Sequence, residues 1–447
     1  MRHRAGVPSV RRRRRWRWLL SVLLCAPAVA ETQAPDGGAV PNSVAFTLAD
    51  AAALVRRQHP MLVAAGGRRQ VTTGTARQEG AIPNPVLEWR KENYGSPLPR
   101  DEFLSATLPV DLYGRRFALR SASGFSSRRA VSDSATTARD VEHAVARAYW
   151  QTALAKALRT AATAQRLVID TIARIESERA RQGAVSGGSA LRAHLEADRA
   201  RLAESAARAD VERARGVLAR TLALPIDSVP MPTDSLLPGT VEPLPSLASL
   251  LDLARARSTE LRSARSHLDE ASTRQLAERL GMLPALGVQV GSKRTSGYQT
   301  GTMQVGVSIP FFDRNGGNRE RARGEMLIAA AQLRDVHAMI DADVTAAARA
   351  YALLLEDYAP SVATGTATGD TGLRTLDARG ATVARIAATA YREGAIPLFE
   401  LLDAERARAE VRVATLRAAA DVQLARLDLL RALGLPVESA RVLLPPQ

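Results

Sequence analysis

The sequence predicts a mainly α-helical protein with a small β part, built as an internal duplication. Three observations carry that prediction: landmarks that recur in order, helical patterns of great length, and two short stretches of alternating hydrophobicity. LADAAALVRRQHPML (48–62) is echoed by LASLLDLARARSTEL (247–261), and Pro83 by Pro284. Leu108-Pro109 answers to Ile309-Pro310, Ala148-Tyr149 to Ala350-Tyr351, Arg181-Gln182-Gly183 to Arg392-Glu393-Gly394, and LALP (222–225) to LGLP (433–436). The offset drifts from 199 to 211, as a duplication with insertions would leave it. A period near 200 is too long for a solenoid repeat, so one supersecondary block has been doubled.

Composition fits long rods. The chain is 46% hydrophobic but only 4% aromatic, and rich in Ala and Arg. Such a chain favours helices packed through small side chains over a thick aromatic core. The formal charge of +15 suggests nucleic acid until it is located. Residues 1–30 hold eight arginines and no acid, which leaves +7 for the remainder. They read as a signal peptide: a basic start, an apolar stretch from Trp18 to Ala26, and Ala28-Val29-Ala30 as a cleavage site. A nucleic-acid arm would leave the apolar stretch unexplained, so no nucleic-acid partner is expected. Cys25 is the sole cysteine, and Leu24 stands where a lipoprotein signal needs a small residue. A mature chain without cysteine has no disulfide, thiolate metal site or cysteine nucleophile.

A Pro- and Gly-rich linker (31–46) leads into the first repeat, 47–225, where Thr47 is a candidate N-cap and a helical pattern runs to about Ile82. Pro83-Asn84-Pro85 stops it. A β-hairpin is expected over 86–112, its arms Val86 to Asn93 and Phe103 to Leu112, with Gly95-Ser96-Pro97 between them. Then come one uninterrupted helical pattern from Arg115 to Gln182, a reversal at Gly183, and a second from about Ala190 to Leu222. A linker (226–246) joins the second repeat, 247–436, and residues 437–447 form a tail. Its hairpin, 285–312, is cleaner: Leu286, Val288, Val290 and Met303, Val305, Val307, Ile309 alternate with small or polar residues. A lone hairpin is barely stable in water. It either packs on its own helices or joins hairpins of other chains in a barrel whose outer face meets lipid. No apolar run of about 20 residues follows the signal, so any membrane crossing falls to strands.

This order of elements, with LADAAALVRRQHPML, PNPVLEW, VSIPFFDRNGGNRERARGE and YREGAIPLFELLDAERARAE, resembles the TolC-like outer membrane efflux protein family over nearly the whole mature chain. The resemblance implies a homotrimer with a transmembrane β-barrel completed by trimerisation, four strands per chain, and a long α-helical barrel of coiled-coil hairpins in the periplasm. It implies three partners besides a second and third copy: outer membrane lipid, a periplasmic adaptor protein, and an inner-membrane efflux pump of the resistance-nodulation-division type. IPFFDRNGGN is most similar to the CzcC-like branch for heavy-metal cations; read locally, Pro310 ends a strand and Asp313 or Asn315 caps a helix. Drugs or other small molecules are the alternative cargo. A secreted or periplasmic structural coiled-coil protein is the alternative from another class.

An exit duct needs no catalytic residues, and no cofactor or bound metal is expected. The six histidines are scattered, without HExxH, a Gly-rich phosphate loop or a nucleophile elbow. His194 and Asp198, at i and i+4, are two ligands without a third. In the resemblance, Gly183, Ala184 and Val185 and their counterparts Gly394, Ala395 and Ile396 are helical tips that dock the adaptor. Glu400 and Asp403 match acids that ring the closed periplasmic mouth, where i,i+3 spacing sets both on one helix face. The matching place in the first repeat is Ser189. The second repeat is also longer by nine residues between Tyr351 and Gly394 (43 against 34), and SVATGTATGDTG (361–372) within it is poor helix material.

Overall fold

Residues 45–93, 95, 97–236, 244–358 and 373–437 are described by a computed structural model, the side chains of residues 357, 358, 373 and 374 excepted. The expected signal peptide, linker residues 31–44 and 237–243, Tyr94, Ser96, the 361–372 stretch and tail residues 438–447 lie outside them.

The chain opens with α1 (Leu48–Gln58) and α2 (Pro60–Glu79). The sequence suggested one helix here. Pro60 forbids it, because a proline has no N–H and its ring clashes with the preceding turn. His59 instead ends α1 and caps α2, its side chain accepting from the Met61 N–H at 3.2 Å. Thr47 and Asp50 form a reciprocal capping box at the start of α1. Strands β1 (Val86–Glu92) and β2 (Asp101–Val110) follow, then α3 (Arg115–Arg181) and α4 (Gly187–Leu222). With 67 residues, α3 spans roughly 100 Å.

The second repeat runs α5 (Leu247–Arg257), α6 (Thr259–Leu280), β3 (Ala285–Thr295), β4 (Tyr298–Ser308) and α7 (Gly316–Tyr358). It ends with α8 (Leu373–Arg392) and α9 (Leu398–Ala432). Repetition reaches individual contacts. Ser246 and Ser258 cap α5 and α6 as Thr47 and His59 cap α1 and α2. Arg56 meets Glu142 at 2.7 Å, and Arg255 meets Asp341 at 2.7 Å.

The four strands form one antiparallel sheet in the order β1-β2-β3-β4, so the two hairpins join along β2 and β3. Register decides the faces, since paired residues share one. Val288 lies opposite Val305 and Leu108, and Val290 opposite Met303 and Ala106. With Leu87, Trp89 and Leu104 they make a continuous apolar face. Gln289 lies opposite Gln304 and Thr107 on the other face, where Phe103 sits between the cations of Arg90 (4.6 Å) and Lys293 (5.1 Å). At the seam, Gly291 leaves no room for a side chain: a Cβ there would stand 2.4 Å from the Leu104 carbonyl oxygen. The turn between β3 and β4 is two residues, Ser296 and Gly297, both with positive φ, as a tight hairpin requires.

The main core lies midway along α3, where Tyr149 and Trp150 meet α1, the end of α4, α5, α7 and α9. The Tyr149 hydroxyl donates to the Phe46 carbonyl at 2.8 Å, and burial raises its pKa. Farther along α3 the packing thins to Ile169, Ala173, Ala193, Ala197, Leu398 and Leu402. Alanines let the helices approach closely there. Among the described residues no helix is long and apolar enough to cross a membrane.

Candidate functional site

Both helical reversals are built alike. At the end of α3 the Gly183 N–H bonds the Ala180 carbonyl (3.1 Å) and the Ala184 N–H the Arg179 carbonyl (2.8 Å). At the end of α8 Gly394 bonds Tyr391 (3.1 Å) and Ala395 bonds Ala390 (2.9 Å). This is the Schellman pattern, which needs a left-handed residue, and both glycines have φ of 75°. Ala184 and Ala395 are exposed at the tips, while Val185 and Ile396 are half-buried. Ser186 then caps α4, accepting from the Ser189 N–H at 3.2 Å. Pro397 starts α9 without a side-chain cap, its fixed φ suiting that place.

Glu400 and Asp403 follow in the first two turns of α9. Leu398, Leu401, Leu402 and Glu405 form its buried face, and both acids lie exposed off it. Neither has an ion-pair partner among the described residues. At the matching offset the first repeat has Ser189 and Arg192, so the acidic pair belongs to the second repeat.

The structure adds groups that the sequence reading missed. One to two turns before the tips, the Tyr391 hydroxyl donates to Glu176 Oε1, and Arg179 Nη1 donates to the Tyr391 oxygen at 2.7 Å. Arg179 also stacks over the Tyr391 ring at 5.3 Å. Glu176 is 1% exposed, and its Oε2 has no hydrogen-bond partner. Burial and then Glu176 push the Tyr391 pKa up to about 12. The cluster ties α3 of one repeat to α8 of the other. Its signal was an acid, an arginine and a tyrosine on helical faces otherwise apolar, visible only once two distant helices are known to touch. Glu405 is the second case: buried, with burial raising its pKa against the opposing pull of Arg408, and with Oε2 unbonded.

Other chemistry is thin. His194 bonds Ser177 at 2.7 Å, whereas Asp198 turns to Arg201 at 2.8 Å, so the two do not converge. No group of three His, Cys, Asp or Glu able to hold a metal occurs among the described residues. A groove of about 970 Å³ between α3, α4, α8 and α9 is lined by alanines interspersed with charged and polar side chains. Its Arg412 is paired with Asp377, and its Lys156 with the Pro232 carbonyl. Asn315 precedes α7 with φ of 58°; its N–H donates to Asp313 and its amide to the Glu278 carbonyl at 2.9 Å, locking IPFFDRNGGN against α6.

Paired tips, long coiled helices and a one-faced apolar sheet are now joined by comparison with known proteins. Residues 250–435 match the family described as outer membrane efflux protein. This part of the chain is an outer membrane efflux protein domain. The cobalt-zinc-cadmium resistance protein CzcC of Cupriavidus metallidurans is 26% identical over 311 residues, 67% of this chain and 72% of that protein. Among solved structures, the Vibrio cholerae outer membrane protein VceC superposes with a TM-score of 0.71 at 18% identity, covering 88% of this chain and 97% of its own. The channel CusC superposes with a TM-score of 0.69 at 17% identity, over 88% and 93%. The fold, mostly helical with a four-stranded antiparallel sheet, is that of TolC-like channels, and the efflux protein belongs to the outer membrane. These relatives are channel proteins and not enzymes.

Proposed function

We propose that this protein is the passive outer membrane exit duct of a tripartite efflux system, working as a homotrimer. The observation that carries it is the sheet: four strands with one unbroken apolar face, too few to close on themselves. Three copies supply twelve strands, enough to close a barrel with Val288, Val290, Val305 and Val307 toward lipid and Gln289, Thr302 and Gln304 toward a wet lumen. The helices carry the conduit into the periplasm. There the tips, Gly183, Ala184 and Val185 with Gly394, Ala395 and Ile396, receive the adaptor, which connects to a resistance-nodulation-division type pump in the inner membrane.

Heavy-metal cations are the proposed cargo. Likeness to CzcC supports this, and so do the unpaired carboxylates of Glu400 and Asp403, which threefold symmetry would gather into a ring favourable to cations. Deleting the gene should sensitise cells to divalent transition metals more than to drugs; the reverse order would transfer the cargo to small molecules. The double variant Glu400→Gln/Asp403→Asn should leak, raising closed-state conductance severalfold in a planar bilayer. Conductance equal to wild type would remove both residues from the gate.

A further inference from the structure

All four strands meet the helices at one end of the sheet. There the chain passes from α2 to β1, from β2 to α3, from α6 to β3 and from β4 to α7. Contacts gather these junctions into one layer. Gly80 lies against Arg120, Arg115 reaches Glu278 at 3.4 Å, Asn315 bonds Glu278, and Glu79 bonds both Ser123 and Arg274.

Charge in this layer is one-sided. Its acids are largely engaged: Glu79 and Glu278 as above, Asp111 by the N–H groups of Arg115 and Arg116, and Asp313 by the Asn315 N–H. Glu320 alone among them has no such bond within the described residues. Arg77 and Arg279, in the last turns of α2 and α6, Arg120 in α3 and Arg314 before α7 are exposed, with no acidic partner among the described residues. Helix dipoles account for Arg77 and Arg279 but not for the other two. Beside them stand aromatic rings that nothing in the chain covers: Phe117 is 78% exposed and Phe312 97%. Rings at the edge of an apolar band with guanidinium groups beyond are the arrangement of a lipid interface, where stems and rings lie in the acyl boundary and cations reach phosphates.

We propose that this layer is a binding collar for anionic phospholipid headgroups of the periplasmic leaflet, with Arg77, Arg120, Arg279 and Arg314 as the phosphate contacts. The inference rests on the sheet spanning the outer membrane, because only then does the layer fall at headgroup depth. The occupant is fixed by charge complementarity: a zwitterionic headgroup brings its own cation, whereas phosphatidylglycerol leaves its phosphate free for the arginines.

The test uses the full-length protein reconstituted into phosphatidylethanolamine vesicles with spin-labelled lipid tracers. Electron spin resonance reports the fraction of each tracer immobilised at the protein surface. Phosphatidylglycerol should be selected over phosphatidylethanolamine by at least about fivefold, the effect of one basic side chain near the surface, and the preference should fall at high salt. Arg77→Gln/Arg279→Gln/Arg314→Gln should lower the preference to at most what the remaining Arg120 supplies, while Arg208→Gln/Arg220→Gln on α4 should keep it at the wild-type value. Immobilised lipid without headgroup preference in the wild type would overturn the collar and leave the membrane-spanning reading standing. No immobilised lipid at all would overturn both. A triple variant that keeps the wild-type preference would remove these arginines as the cause.

Discussion

Ala223 adopts φ of 56° at the end of α4, the place where the second repeat has Gly434 with φ of 67°. The hydrogen bonds are equivalent, Leu224 N–H to Ala219 and Leu435 N–H to Leu430, so the two repeats solve one turn with different residues. A Cβ in this region clashes with its own backbone, and Ala223→Gly should therefore stabilise the protein by about 1 kcal/mol. Gly434→Ala should lose at least as much, because its Cβ would stand 3.1 Å from Arg139 Nη1. Thermal midpoints of the helical circular dichroism signal decide both. Glu405 gives a prediction with a pH signature. Burial raises its pKa above the ordinary 4.5, so the folded chain holds the proton more tightly than the unfolded chain. Stability from this group is then present below the ordinary value and is lost as pH rises through the folded one. Glu405→Gln, always neutral, should raise the thermal midpoint near pH 7, and that gain should fade toward pH 4. A gain equal at both pH values would remove titration as its cause.

At the scale of elements, the Glu176, Tyr391 and Arg179 cluster is a polar tie between α3 and α8 near the tips, set in a stretch with a thin core of alanine, leucine and isoleucine. Tyr391→Phe removes the hydroxyl and leaves Glu176 Oε1 with only the longer bond from Arg179 at 3.4 Å, beside an Oε2 that has none, costing about 1–3 kcal/mol. The loss is local. Hydrogen exchange should quicken around residues 176–184 and 387–396, while 145–153 in the main core stay protected; uniform quickening would mean the tie supports the whole fold. The helices and both hairpins could be read from the sequence because each depends on local pattern: period two in β3 and β4, small apolar spacing in α3, glycine at 183 and 394. What escaped depended on pairs far apart in the chain. Tyr391 lies 215 residues from Glu176, and no periodicity within either helix marks their meeting. The break at His59 and Pro60 was written locally but outweighed by the apolar spacing on either side. Glu400 and Asp403 are legible as an exposed pair on α9, whereas the ring proposed for them would need an assembly of three chains.

For the whole molecule, the sheet poses the sharpest physical contrast, since neighbouring residues of one strand should meet opposite solvents. Val305 is 53% exposed on the apolar face and pairs with Val288; Gln304, one residue earlier, pairs with Gln289 on the polar face. In a water-soluble rod both would face water or helix, and an arginine at either would be tolerated alike. In a membrane barrel, Val305→Arg places a cation against hydrocarbon at a cost of roughly 2–4 kcal/mol per chain near midplane, multiplied across an assembly. Gln304→Arg places the same cation in a wet lumen, where it should shift ion selectivity and leave assembly intact. Fractionation after high-salt washing, with unheated SDS gels for the oligomer, should therefore show Val305→Arg depleted from the outer membrane and Gln304→Arg retained as wild type. Equal retention of both variants would contradict a lipid-facing sheet, because nothing in the backbone distinguishes the two positions except the side to which each points.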